Sequence, residues 1–210
     1  LQYRAIGIVR GEYKPNDQDQ ITRGHLIDSD GLEVEAVVLG RVLTLLRRHL
    51  DIEKPHLWVV YPRCREADHL HLQIAGIWEP STLGKPESDN NDAIKLEKNL
   101  DCPNDELPEG DDYFSIRGEL IYTKPASDDL VIKIRQKSRA NGNRPLPFKL
   151  NLKGSIPLEH VRNFVSLDVR RKGSQLCLED YKIIAPIPTR GGGKGGAKKS
   201  IVRKVARESS

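Results

Sequence analysis

The sequence predicts a mainly β protein of two small five-stranded barrels, each with a short helix, joined by a disordered acidic spacer. Three observations predict it. The same opening strand pattern occurs twice, at Ile6–Pro15 and at Ile116–Pro125, with Arg-Gly-Glu inside and Lys-Pro at the end. The composition, 37% hydrophobic and 30% charged over 210 residues, is polar for one packed domain and suits two small domains with unpacked segments between and after them. The charge is also sorted: residues 86–112 carry 2 Lys+Arg against 10 Asp+Glu, residues 113–188 carry 14 against 7, and residues 189–210 carry 7 against 1. The organisation read from this is a barrel in residues 1–85, a spacer in 86–112, a basic barrel in 113–188 and a flexible Gly/Lys/Arg tail in 189–210.

Each half then follows the same order. A glycine inside the opening strand, Gly11 or Gly118, marks the bend that a small barrel needs to curl. In the first half, His25–Ile27 and Leu32–Val38 flank Asp28-Ser29-Asp30-Gly31, a hairpin signal. In the second, Leu130–Lys137 and Phe148–Lys153 flank a longer loop around Gly142. A helix is expected over Leu39–Leu50, with Val42, Leu45, Leu46 and Leu50 on one side and Arg41, Thr44, Arg47 and Arg48 on the other. Its counterpart is the shorter Pro157–Arg162, with Pro at the first turn. Two strands close each half: His56–Tyr61 with His69–Trp78, and Phe164–Arg170 with Gln175–Ile184 across the turn Arg171-Lys172-Gly173-Ser174.

Strand–strand–strand–helix–strand–strand resembles the OB-fold in both halves, and the chain as a whole resembles a tandem OB-fold protein of cyanobacterial type. The same elements also fit one larger β-barrel or sandwich with the spacer as an excursion. The resemblance implies an oligonucleotide-binding face on the second and third strands of a barrel.

Side chains alternate along a strand, so Lys133, Arg135 and Lys137 are expected outside while Ile132 and Ile134 face in. On the partner strand Lys149, Asn151 and Lys153 are expected outside, with Phe148, Leu150 and Leu152 in. The resulting face has five positive charges and no carboxylate. Arg117, the loop residues Arg139 and Arg144, and Arg171 and Lys172 at the last turn extend it. Cations in this density displace the counterions condensed on a phosphate backbone. Tyr113 and Tyr181 are the candidates for stacking on bases, whereas Phe114, Tyr122 and Phe148 fall on inward positions. In the first half the matching strand turns Glu33 and Glu35 outward, which repels phosphate and assigns that barrel to structure or protein contact.

Chemistry-bearing motifs are few. Cys64, Cys102 and Cys177 are widely spaced and form neither a disulfide framework nor a thiolate zinc site, so a reducing cytoplasm is the expected location. His69 and His71 share a strand face at i, i+2, but Leu70 and Leu72 supply the inward alternation, so both read as outward residues rather than metal ligands. No nucleotide-binding glycine loop or nucleophile elbow occurs, and no apolar run is long enough to span a membrane. The sequence therefore assigns no catalytic, cofactor-binding or metal residue. It predicts a non-enzymatic protein binding single-stranded DNA or RNA through the second barrel and basic tail, with a protein partner on the first barrel and no membrane contact. An adaptor docking a larger protein or ribonucleoprotein complex is the alternative. A metal-dependent enzyme acting on a phosphorylated substrate through His69 and His71 is the third reading.

Overall fold

A computed structural model describes residues 1–17, 19–52, 54–65, 69–78, 110–137, 142 and 145–188. The first half contributes β1 (Arg4–Pro15), β2 (Arg23–Ile27), β3 (Glu33–Val38), α1 (Gly40–His49), β4 (His56–Arg65) and β5 (His69–Ile77). The second contributes β6 (Tyr113–Lys124), β7 (Asp129–Ile134), β8 (Phe148–Lys153), β9 (Asn163–Lys172) and β10 (Gln175–Pro186), with 3-10 turns at Pro125–Ser127 and Leu158–His160. The chain is mainly β, as its alternation predicts.

Each half closes on itself in the order first–second–third–fifth–fourth–first. In the first barrel β3 pairs with β5 in parallel and β1 pairs with both β2 and β4. In the second, β8 pairs with β10 in parallel and β6 pairs with both β7 and β9. A long first strand serves two partners by switching at its glycine. Gly11 is the last residue of β1 paired with β4, and Glu12 is the first paired with β2. Glu119, next to Gly118, is the first residue of β6 paired with β7. A Cβ at Gly11 would lie 2.4 Å from the Ile27 carbonyl oxygen, and one at Gly118 would lie 2.6 Å from Ile132 and Ile134 side-chain carbons. The repeated Arg-Gly-Glu thus marks the point where each strand bends between its neighbours.

The barrels are fused rather than merely tethered. Arg4–Gly7 of β1 pairs antiparallel with Phe114–Arg117 of β6, so one sheet order runs through all ten strands described. Phe114 is fully buried, and a Cβ on Gly7 would meet its ring at 2.1 Å. Glycine at position 7 is what admits the second barrel's phenylalanine. Buried Trp58, Leu72 and Ile74 from one half and Ile116, Leu150 and Leu167 from the other belong to one apolar cluster. Trp58 also donates its indole N–H to the Gly11 carbonyl at 2.8 Å, so its polar atom is satisfied inside the core.

The helix buries Val42 and Leu46 and exposes Arg41, Thr44 and Arg47, as its periodicity predicts. Strand ends differ more. β7 stops at Ile134, so Arg135, Gln136 and Lys137 lie beyond the ladder. In β6 the pairing slips between Leu120 and Tyr122, and this bulge reverses the alternation. Tyr122, expected inside, is 46% exposed, while Thr123 is buried and donates to the Ile156 carbonyl at 2.8 Å.

Candidate nucleic-acid interface

Two different junctions form between the barrels. The first is an ionic clamp. Asp28 Oδ1 accepts backbone N–H bonds from Asp30 and Leu32 and so shapes the β2–β3 turn, while its Oδ2 accepts from Arg171 at 2.8 Å. Arg171 Nε donates to Asp112 at 2.7 Å, and the Arg171 side chain is only 2% exposed. Burial would weaken the Arg171 charge, but the hydrogen bonds to Asp28 and Asp112 outweigh it and raise its pKa above the ordinary value. Asp111 pairs with Arg10 at 2.7 Å and gives its carbonyl to Arg170. Both aspartates belong to the stretch the sequence assigns to the spacer, yet they are built into the second barrel's edge.

The second junction is a groove of about 1790 Å³. The first barrel lines it with Tyr3, Arg4, Tyr61 and Arg63, and the second with Lys133, Arg135, Lys137 and Phe148, behind a rim of Pro145, Leu146 and Pro147. Leu146 is 86% exposed. The Arg63 guanidinium lies 3.9 Å from the Phe148 ring centroid, and the Arg135 guanidinium lies 5.8 Å from that of Tyr3. Each arginine–ring pair therefore joins one barrel to the other.

Beneath the groove sits Glu119, 5% exposed. It accepts a hydrogen bond from the Tyr3 hydroxyl and pairs with Arg135 at 2.6 Å and Lys133 at 3.4 Å. Burial acts to raise its pKa, but Tyr3, Arg135 and Lys133 prevail and hold the carboxyl below the usual range. Burial, reinforced by this hydrogen bond, pushes the Tyr3 hydroxyl up to about 12.

The sequence-derived basic face is thus redistributed. Lys133, Arg135 and Lys137 come together in the groove, and exposed Lys149 stands directly opposite Lys133 in the β7–β8 ladder. Lys153 lies four residues further along β8, roughly 13 Å at the rise of a strand; it pairs with Asp129 at 2.6 Å. The face does contain carboxylates, Asp129 opposite Lys153 and Glu119 opposite Lys133, because both come from the ladder neighbours of the cations. Arg117 lies on the β1–β6 seam and donates to Ser166 at 3.2 Å. Arg171 is buried in the clamp, Lys172 is exposed at the end of β9, and Arg139 and Arg144 lie outside the described residues. So does the basic tail from residue 189.

Among the stacking candidates, Tyr113 donates to Asp168 at 2.7 Å and Tyr181 packs beside His160. Phe148 keeps its inward register opposite Ile134 but sits at the barrel mouth, half-exposed to the groove. Alternation within β7 and β8 gave no sign of Tyr3, Arg4, Tyr61 and Arg63, which arrive from the other barrel.

His71 is a further departure. Expected outside, it is 8% exposed on β5, between Glu35 of β3 and Arg63 of β4. Burial and then Arg65 push it below the ordinary imidazole range. Glu35, read as an outward charge, pairs with Arg65 at 2.8 Å and lies 3.1 Å from His69. Among the described residues no three His, Cys, Asp or Glu side chains gather as a metal site would require.

Two closed barrels of this strand order define a tandem OB-fold protein, an architecture that hosts oligonucleotide binders. Residues 5–85 match the family model described as PatR RNA-binding protein, N-terminal OB-fold domain. Residues 116–185 match the one described as Cyanobacterial OB-fold-like RNA-binding domain, C-terminal. Together the two matches make the chain similar to tandem OB-fold proteins of cyanobacterial type, and both matched models are RNA-binding domain families. No curated protein matches it. Among the described residues no helix is long and apolar enough to cross a membrane.

Proposed function

We propose that this protein binds single-stranded RNA without catalysing a reaction, chiefly through phosphate contacts made by the second barrel. The observation that carries the reading is the gathering of Lys133, Arg135 and Lys137 on one side of an RNA-binding-type barrel, with Lys149 beside them. These cations displace counterions condensed on the phosphate backbone, so binding weakens as salt rises. The tail's seven basic residues against one acidic add non-specific attraction for the same polyanion. The site of action is the cytoplasm, which the wide spacing of Cys64, Cys102 and Cys177 along the chain fits.

Fluorescence anisotropy with a labelled unstructured RNA tests this. If about four phosphates are contacted, log K falls against log salt with a slope near −2.8. Changing exposed Lys137 and Lys149 together to Glu weakens binding at least about tenfold while the circular dichroism spectrum stays that of the wild type. Affinity independent of salt, or unaffected by the double change, removes the proposal. The DNA of the same sequence, run in parallel, measures whether the 2′-hydroxyl contributes.

A further inference from the structure

We infer that the bound strand runs along the groove between the barrels, so that the first barrel supplies half of the binding site through Tyr61 and Arg63. This rests on the reading that the chain binds single-stranded RNA, and it extends the site to a barrel that the charge pattern assigns to structure.

The charge of the groove points to a polyanion. Arg4 and Arg63 enter it from the first barrel and Lys133, Arg135 and Lys137 from the second, and no carboxylate is among the described residues lining it. Glu119 beneath already answers Lys133 and Arg135. Among the described residues nothing comparable answers Arg63. Its side chain is half-buried, donates only to the carbonyl of neighbouring Pro62, and makes no ion pair with any described residue. Burial, the main influence, drags its pKa below the ordinary arginine value. A partly desolvated guanidinium without a counter-charge is unfavourable unless an anion arrives to pair with it. A phosphate in the groove meets that need.

The rings point to unpaired bases. Rings and guanidinium groups are the surfaces on which splayed bases stack. The groove offers Tyr61 and the two pairs Arg63–Phe148 and Arg135–Tyr3, and Leu146 adds an exposed apolar wall held between two prolines. A duplex buries its base faces and gains nothing from these groups.

The conventional track over the second and third strands is also obstructed. At the far end of β7–β8, Lys153 is engaged by Asp129, and Cys64 and Leu70 of the first barrel stand across a smaller pocket from Asn151 and Lys153. A strand following Lys149 and Lys133 is therefore led into the groove.

The test uses the full chain and a labelled single-stranded RNA of about 16 nucleotides, the upper site size for one OB barrel. Arg63→Ala and Tyr61→Leu each lower affinity at least about fivefold. Arg63→Lys restores the salt slope of the wild type but not its affinity, since it keeps the charge and loses the planar group. Photo-crosslinking with 4-thiouridine RNA, read by mass spectrometry, places adducts on peptides of both barrels. Thermal melts show whether each variant is folded, and exposed Arg4→Ala provides a second first-barrel variant should Tyr61→Leu fail to fold. If folded first-barrel variants bind like the wild type and adducts map to the second barrel alone, the composite groove is overturned while the proposed function stands. If the intact chain binds no RNA, the proposed function falls, and the groove with it.

Discussion

Arg171 and Arg63 both stand where the two barrels meet, and they are held in opposite ways. Arg171 is buried and answered by two carboxylates, Asp28 from the first barrel and Asp112 from the edge of the second. Arg63 is half-buried, lies over a phenylalanine ring and has no carboxylate partner among the described residues. The first arrangement spends the whole charge inside the protein and fixes how the barrels sit. The second leaves a charge on offer at a groove. Partner satisfaction, more than position or residue type, separates a structural cation from one available to a ligand.

Breaking the clamp has the largest expected effect. Arg171→Ala leaves Asp28 and Asp112 facing each other across a buried gap and costs about 3–5 kcal/mol of stability, measurable by urea denaturation. Gly7→Ala forces a methyl group into the Phe114 ring and costs about 1–3 kcal/mol. In neither case does the loss depend on added RNA. The reverse is expected on the groove side: Arg63→Ala changes stability by less than about 1 kcal/mol and shows its effect in RNA affinity.

Glu119 refines the contrast, because it answers Lys133 and Arg135 only from below. Glu119→Gln removes the carboxylate that competes with phosphate for both cations and raises RNA affinity, as read from anisotropy at one fixed salt concentration. The smallest expected effect is its pH signature. The Glu119 carboxyl is held below its unfolded value, so its stabilisation is fully present above about pH 4.3. It is lost as pH falls through the lower folded value. Denaturation midpoints measured at descending pH therefore drop further for the wild type than for Glu119→Gln. Equal pH dependence in the two proteins would show that the Tyr3–Glu119–Arg135 cluster contributes no such linkage.

Much of each barrel was legible one strand at a time. Val34, Ala36, Leu130, Ile132, Leu150 and Leu152 are all buried at the positions that alternation assigns inward, and Gly11 and Gly118 mark the partner switches. Alternation failed where a strand stopped being regular. Tyr122 turned outward behind a bulge, and Arg135 and Lys137 lie past the end of β7. His71 looked like a surface residue because a single strand does not reveal what its neighbours carry; Glu35 and Arg63 flank it only once β3, β4 and β5 are assembled.

The sequence by itself determined the doubled barrel, the strand order within each half and the concentration of positive charge in the second. These follow from local periodicity, turn chemistry and composition, which act over a few residues. Only the tertiary structure decided which cations are spent and which remain available. Asp28 reaches Arg171 across 143 positions of chain, and Tyr3 reaches Glu119 across 116. An ion pair or a lining residue depends on distance in space, and that distance is set by the β1–β6 seam, where a glycine in one half makes room for a phenylalanine in the other.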